Sequence, residues 1–373
     1  MKKMKVMTIL GTRPEIIRLS EVIKICKTAF DHVLTHTGQN YDYALNQVFF
    51  EELGLQEPDY YLNVAGEDLG ETLGNIISRS YALLREKMPD AVLILGDTNS
   101  ALSAISAKRL KIPVFHMEAG NRCFDENLPE EVNRRIVDHA SDVNMCYSEH
   151  ARRNLLAEGL RPEYVFVTGS PMAEVLTVNR EAIEESSILE TLALESGKFI
   201  LLSAHREENI DIESSFLSLM DAINQMSEKY GMPVIYSTHP RSEKFISQRG
   251  FVFHPNVRSL KPFGFHAYCK LQKNAFCVVS DSGTLPEETG YFGFPAVSIR
   301  TSTERPEAMD RGRFIIGGIK AEPLLQSIDL AVKPKEYSTV PDYADTNISF
   351  KVAGIIQSYT EIVNQKIWRK KDA

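Results

Sequence analysis

Cysteine is scarce in this chain and never clustered. Cys26, Cys123, Cys146, Cys269 and Cys277 are the five present in 373 residues, and no two form a CxxC. That spacing excludes a disulfide framework and a thiolate zinc site, so the thiols read as reduced. Long apolar runs are missing too, none approaching the ~20 residues of a membrane span. The opening Met1-Lys2-Lys3-Met4-Lys5 carries the charge of a secretion signal, but the apolar stretch after it stops at Gly11-Thr12-Arg13-Pro14. It therefore reads as a first β-strand, and a soluble, cytoplasmic protein is expected. A basic excess is absent: the formal net charge is -8, which gives nucleic acid no footprint. Any anionic ligand must be held by local clusters. The nine histidines contain no HExxH, so no metal is inferred. The turn after the first strand is not the GxGxxG of a dinucleotide site, so no NAD or other cofactor is expected.

What is present is enough apolar material, 43% of residues, to bury a sizeable core, over a length that favours two domains. Short apolar runs recur at residues 6–10, 32–37, 91–95, 114–117, 143–145 and 164–167. Between them, residues 15–27, 69–87, 101–110 and 149–158 carry helical periodicity. This alternation predicts an α/β fold with buried parallel strands. A second series of strands is predicted at residues 199–202, 234–237, 277–280, 296–299 and 314–316. Two Rossmann-like halves result. The break at Gly169-Ser170-Pro171 precedes a polar, irregular stretch at 179–197, which places one domain at 1–169 and the other at 170–351. The apolar-periodic segment 352–368 is long enough to pack back on the first domain.

Several strand ends carry residues suited to chemistry. Gly11-Thr12-Arg13-Pro14-Glu15 combines a tight turn, a proline for the helix start and an arginine, and a helix N-terminus beside Arg13 offers donors to an anion. A turn with a merely solvated arginine is the plainer alternative. Ser280-Asp281-Ser282-Gly283-Thr284-Leu285-Pro286-Glu287-Glu288 repeats the device. Free amides of Ser282, Gly283 and Thr284 would cradle a diphosphate, and Glu288 would accept the ribose hydroxyls; a simple capping sequence is compatible with both. Arg305, in a third such loop, is a phosphate partner. Asp97, Glu118 and Glu130 stand at the strand ends of the first half, where a poorly solvated carboxylate can do acid or base work. A turn or cap role is the competing reading for Asp97. His205 and His239 each follow a strand and can donate to a hydroxyl or phosphate. His116 and His139 read as structural.

These motifs, Gly11–Glu15, Gly96-Asp97-Thr98, Glu118-Ala119-Gly120, Pro129-Glu130-Glu131 with Asn133-Arg134, Ala204-His205-Arg206, Asp281-Ser282-Gly283 with Glu287-Glu288, and Thr303-Glu304-Arg305-Pro306-Glu307, resemble in order and spacing the non-hydrolysing UDP-N-acetylglucosamine 2-epimerase family. The resemblance spans residues 5 to 310. It implies the glycosyltransferase-B architecture, with two Rossmann-like domains facing a central cleft that holds a UDP-N-acetylhexosamine, usually in a homodimer. It further implies that Arg13, Ser282, Gly283, Glu288 and Arg305 bind the UDP portion, with Arg18 and His239 as further substrate-side residues. Asp97, Glu118, Glu130 and His205 would serve the sugar chemistry.

Some positions depart from the common glucosamine enzyme. The segment after Glu118-Ala119-Gly120 reads Asn121-Arg122-Cys123-Phe124-Asp125-Glu126-Asn127-Leu128 in place of Leu-Arg-Thr-Gly-Asp and a longer aromatic insert. Gln39 is followed by Asn40-Tyr41-Asp42, not His-Arg-Glu, and Arg18 stands where that enzyme has lysine. These variants resemble the branch that makes UDP-N-acetyl-L-fucosamine from UDP-2-acetamido-2,6-dideoxy-L-talose, for capsule or O-antigen synthesis. The neighbourhood of Gln39 argues against a second, activating UDP-sugar site. The alternatives are a UDP-N-acetylglucosamine 2-epimerase giving UDP-N-acetylmannosamine, a UDP-sugar glycosyltransferase, a hydrolysing epimerase and a non-enzymatic sugar-nucleotide binder.

Overall fold

Strands that are apolar on both faces need cover on both faces, and two parallel sheets with helices between successive strands provide it. The computed structural model describes residues 3–38, 43–312, 314–333 and 340–370. The chain forms two units, one of Met1–Thr177 with Pro341–Ala373 and one of Val178–Val340.

The first unit contains β1 (Lys5–Leu10), β2 (Asp31–His36), β3 (Tyr60–Tyr61), β4 (Ala91–Leu95), β5 (Val114–Met117), β6 (Val143–Cys146) and β7 (Val165–Val167). They form one sheet in the order β3-β2-β1-β4-β5-β6-β7, every pair parallel. All five residues of β4, AVLIL, are buried. The helix Leu69–Lys87 shows why the covering helices form. Asp68 caps it by accepting from the Glu71 amide, its apolar face buries Ile76 and Leu84, and Met88 ends it in the left-handed region. Each such apolar side chain contributes about 1.5–3 kcal/mol when removed from water.

The second unit contains β8 (Ile200–Ser203), β9 (Val234–Ser237), β10 (Val257–Leu260), β11 (Cys277–Ser280), β12 (Ala296–Ser298) and β13 (Ile315–Ile316), in the order β10-β9-β8-β11-β12-β13. Its core packs strand residues such as Leu202, Tyr236 and Val279 against Phe216, Leu219 and Ile223 of the helix Glu213–Tyr230. In both sheets the strand order reverses beside the unit's first strand, between β1 and β4 and between β8 and β11. Loops at the carboxyl ends of those strands splay apart there, which makes the reversal point the place for a ligand.

Two strands were not expected. Both β3 and β10 lie at sheet edges; β3 has two residues, and β10 exposes Arg258 and Ser259, so neither forms an apolar run. The stretch 179–197, expected to be irregular, holds the short helices Arg180–Glu185 and Ile188–Thr191 within the second unit. The first unit does not end at Gly169 but runs on to Thr177, and takes the chain up again at Pro341, ahead of the expected 352. Hydrogen bonds give the reason. The Ser170 amide donates to the Asp342 carbonyl at 3.0 Å, and the Ser349 amide donates to Glu174 Oε2 at 2.8 Å, with the Ser349 hydroxyl on Oε1. The helix Ile348–Lys366 then packs on Arg13–Ala29. Among the described residues no helix is long and apolar enough to cross a membrane.

Candidate active site

In the first unit, the reversal point is flanked by the β1 loop carrying Arg13 and the β4 loop carrying Asp97. Glu15 joins them. Its Oε2 accepts from the Gly11 amide at 3.1 Å, the Thr12 hydroxyl at 2.8 Å and the Thr98 hydroxyl at 3.1 Å, and its Oε1 from the Ser100 hydroxyl at 2.6 Å. Glu15 is buried, and burial outweighs these donors in raising its pKa above the usual glutamate value. The helix starts at Arg13, so Pro14 is its second residue, not its first. The Arg13 guanidinium lies 5.9 Å from the centre of the Phe49 ring.

Asp97 Oδ2 receives Arg134 through both Nε at 2.7 Å and Nη2 at 2.6 Å. Arg134 Nη1 also bonds Glu131 Oε2 at 2.9 Å. Glu131 accepts the Cys123 amide on Oε2 and the Phe124 amide on Oε1, each at 3.2 Å. Burial opposes its ionisation, but the Cys123 amide and Arg134 outweigh burial and hold it below the usual glutamate range. Glu131 thus ties the loop that departs from the glucosamine enzymes to the arginine that grips Asp97. Glu130 stands one position earlier, half-buried in the first turn of the helix Pro129–Ala140.

Glu118 follows β5 with a φ of 64°, a left-handed conformation that costs a non-glycine residue about 1–3 kcal/mol. Its Oε2 forms a buried ion pair with Arg18 Nη1, and Asn121 Nδ2 approaches Oε1 at 3.4 Å. A Cβ on Gly96 would stand 3.1 Å from Glu118 Oε2, so the Asp97 turn and the Glu118 carboxylate touch. Arg18, expected on the substrate side, joins the carboxylate cluster as the partner of Glu118. The chain at 39–42 lies outside the described residues, and with it the neighbourhood of Gln39.

In the second unit, His205 follows β8 and Asp281 follows β11. Asp281 Oδ2 accepts the amides of His205 at 2.9 Å and Arg206 at 3.0 Å and the Asn209 side chain at 3.1 Å. His205 Nδ1 lies 2.9 Å from Asp281 Oδ1. Burial opposes the charge on Asp281, but the His205 ring and the Arg206 amide outweigh it and hold the carboxyl well below the usual aspartate range. His239 stands 6.0 Å from His205, ring centre to ring centre, and its Nδ1 accepts from the Arg241 amide as the cap of Pro240–Gln248.

Ser282, Gly283, Pro286, Arg300, Thr303 and Arg305 are among the residues lining an open pocket of about 200 Å³. One expectation for its loop needs correction. Of the three amides expected to be free, Ser282 N donates to Ser280 Oγ at 3.0 Å and Thr284 N to Ser282 Oγ at 3.3 Å. The short polar side chains satisfy them locally, as such residues do in turns. Glu288 accepts from Thr284 Oγ1 at 2.9 Å and Gln272 Nε2 at 2.6 Å. Arg305 is buried, its Nη2 3.6 Å from Glu287 Oε1. Arg300 lies beside it, only 4% exposed. Its Nη1 bonds Glu304 Oε2 at 2.5 Å, while Nε and Nη2 have no hydrogen-bond partner among the described residues. Two buried guanidinium groups beside a Ser-Gly turn have the chemistry that an anionic ligand requires.

The sequence reading did not single out Glu15, Glu131, Asp281 and Arg300 as functional. The signal for Arg300 was a charged residue directly after the apolar run 296–299. For the carboxylates nothing marked them beyond a motif. Among the described residues no group of His, Cys, Asp and Glu is placed to hold a metal ion, and all five cysteines are free.

A sequence profile described as UDP-N-acetylglucosamine 2-epimerase matches residues 24–357. The solved structure of UDP-N-acetylglucosamine 2-epimerase from Rickettsia bellii is similar with a TM-score of 0.92 and 45% identity, over 99% of this chain and 100% of that one. The Methanocaldococcus jannaschii UDP-GlcNAc 2-epimerase in complex with UDP-GlcNAc and UDP has a TM-score of 0.89 and 32% identity, over 95% of this chain and 100% of that one. The UDP-2,3-diacetamido-2,3-dideoxy-D-glucuronate 2-epimerase of Pseudomonas aeruginosa is 32% identical over 87% of this chain and 91% of that protein. With the expected glycosyltransferase-B fold thus borne out, the chain belongs to the non-hydrolysing UDP-N-acetylglucosamine 2-epimerase family and is an isomerase.

Proposed function

We propose that the protein inverts C2 of a UDP-N-acetylhexosamine by removing UDP and adding it back. The C2 hydrogen is not adjacent to a carbonyl, so simple deprotonation would leave an unstabilised carbanion. A base takes the C2 proton, the C1–O bond to UDP breaks with its electron pair leaving on UDP, and a C1=C2 double bond forms. UDP then returns to C1 while C2 is protonated from the opposite face. The observation that carries this reading is the carboxylate cluster of Asp97 and Glu118, each fixed by a buried arginine. Arg13, Arg305, Ser282, Gly283 and Glu288 hold UDP, His239 lies on the nucleotide side, and Glu130 and His205 complete the acid–base set.

The substrate we favour is UDP-2-acetamido-2,6-dideoxy-L-talose, giving UDP-N-acetyl-L-fucosamine. The segment 121–128, whose Cys123 and Phe124 amides are pinned by Glu131, differs there from the glucosamine enzymes. A second reading, UDP-N-acetylglucosamine to UDP-N-acetylmannosamine, is supported by the names of the relatives. Incubation with each sugar in heavy water, followed by NMR at C2, separates the two. Deuterium at C2 of an inverted, still UDP-linked product is expected with the preferred substrate; exchange with neither sugar ends the proposal. Glu118→Gln is expected to abolish exchange and keep UDP binding.

A further inference from the structure

Beneath the two carboxylate loops, polar side chains form a buried bridge. His116, in β5, is 1% exposed and Asp138, on the helix Pro129–Ala140, is 0% exposed. His116 Nε2 lies 2.9 Å from the carbonyl oxygen of Gly96, and Nδ1 lies 2.9 Å from Asp138 Oδ1. Asp138 in turn accepts the Gly120 amide on both oxygens at 3.2 Å and Arg122 Nη1 at 2.7 Å. The bridge therefore runs from the turn that carries Asp97 to the turn that follows Glu118. Both turn glycines have positive φ, 72° at Gly96 and 82° at Gly120, and a Cβ at Gly120 would stand 2.3 Å from the Ala151 carbonyl oxygen. Neither turn has room to shift independently.

A carbonyl oxygen only accepts, so the contact with Gly96 needs the proton on Nε2. The far side of the bridge is anchored as well. Arg122 is shared between Asp138 and Glu158, whose Oε2 it meets at 2.7 Å. His139 meets Glu158 further out, on the exposed side, at 3.1 Å. From β6, Asn144 donates to the Asp138 carbonyl at 3.1 Å.

We propose that His116 is a positioning residue: its ring, held between the Gly96 carbonyl and Asp138, spaces the Gly96 turn from Asp138, and through Asp138 the Gly120 turn, so that the spacing of Asp97 and Glu118 at the sugar is fixed. This rests on the reading that those carboxylates act on the sugar. The test has two arms. NMR of the whole protein labelled with 15N-histidine is expected to show a slowly exchanging proton on His116 Nε2, as a buried hydrogen bond to the Gly96 carbonyl requires; an Nε2 without a proton overturns the clamp. Asp138→Asn and His116→Gln are expected to slow C2 exchange roughly tenfold to a hundredfold, as small misplacements of reacting groups do, with KM and the Kd for UDP almost unchanged. His116→Gln, which keeps one donor, should retain more activity than His116→Ala. Unchanged kcat overturns the proposal, and so does a parallel loss of kcat, UDP affinity and thermal stability. Were the variants not to fold, the Nε2 proton of the unaltered protein still decides the clamp. Absence of C2 exchange in the unaltered protein would instead strike the proposed function.

Discussion

His205 and Asp281 are joined twice: the His205 amide donates to Asp281 Oδ2 at 2.9 Å, and the ring Nδ1 stands 2.9 Å from Oδ1. One carboxylate thereby fixes both where the histidine sits and which nitrogen it turns inward. The other nitrogen, Nε2, remains for a ligand. Asp281→Asn is expected to lower kcat roughly a hundredfold by releasing the ring. Single-turnover rates beside UDP titrations check this, and an equal loss of UDP affinity would make Asp281 a fold residue.

The same carboxylate has a signature in acid. Its folded pKa is depressed, so its stabilisation is fully present above the unfolded aspartate value, about 3.9, and is lost as pH falls toward the folded pKa. The stability gap between the unaltered protein and Asp281→Asn should therefore be constant near neutrality and narrow as the pH drops below about 4. Urea unfolding at a series of pH values measures it.

Arg134 reaches Asp97 with two nitrogens and Glu131 with a third. Lysine offers a point charge and cannot reproduce that fork. Arg134→Lys should cut the exchange rate roughly tenfold or more, through misplacement of Asp97, and leave UDP binding intact. Arg134→Ala strips the buried Glu131 of its nearer arginine and should cost about 3 kcal/mol of stability.

Arg300 keeps two nitrogens without partners among the described residues while lining the pocket beside Ser282 and Arg305. Arg300→Gln should weaken UDP about tenfold, or 1.4 kcal/mol, by calorimetry. Affinity that does not move would restrict Arg300 to holding Glu304.

Gly169 has a φ of 89°, and a Cβ there would stand 2.8 Å from the Asp342 carbonyl oxygen. Gly169→Ala should lower stability by about 1–3 kcal/mol. A thermal melt reads the loss; an unchanged midpoint would mean that the segment after Pro341 yields freely.

Much of this architecture is legible in the sequence because the strands next to the reversal points are buried on both faces and so are written as apolar runs. The edge strand Val257–Leu260 is not, since two of its residues face water. The site divides in the same way. Asp97, Glu118 and His205 announce themselves by following such runs. Their partners do not: Arg18 is 100 residues from Glu118, Arg134 is 37 from Asp97, and His205 and Asp281 are 76 apart. Pairing across such distances is set by strand order, which local pattern does not encode. The amides of Ser282 and Thr284 were misjudged for the opposite reason. Hydroxyls two residues away satisfy them, and that choice depends on side-chain rotamers rather than on composition.

The chain leaves the first unit after Thr177 and re-enters it at Pro341. A ribosome must therefore finish all of 178–340 before it makes the helix Ile348–Lys366, which closes over Arg13–Ala29 and is tied to Glu174. During synthesis the second unit can mature as an uninterrupted stretch, while the unit with the carboxylates waits, its first helix uncovered, for the residues after Pro341.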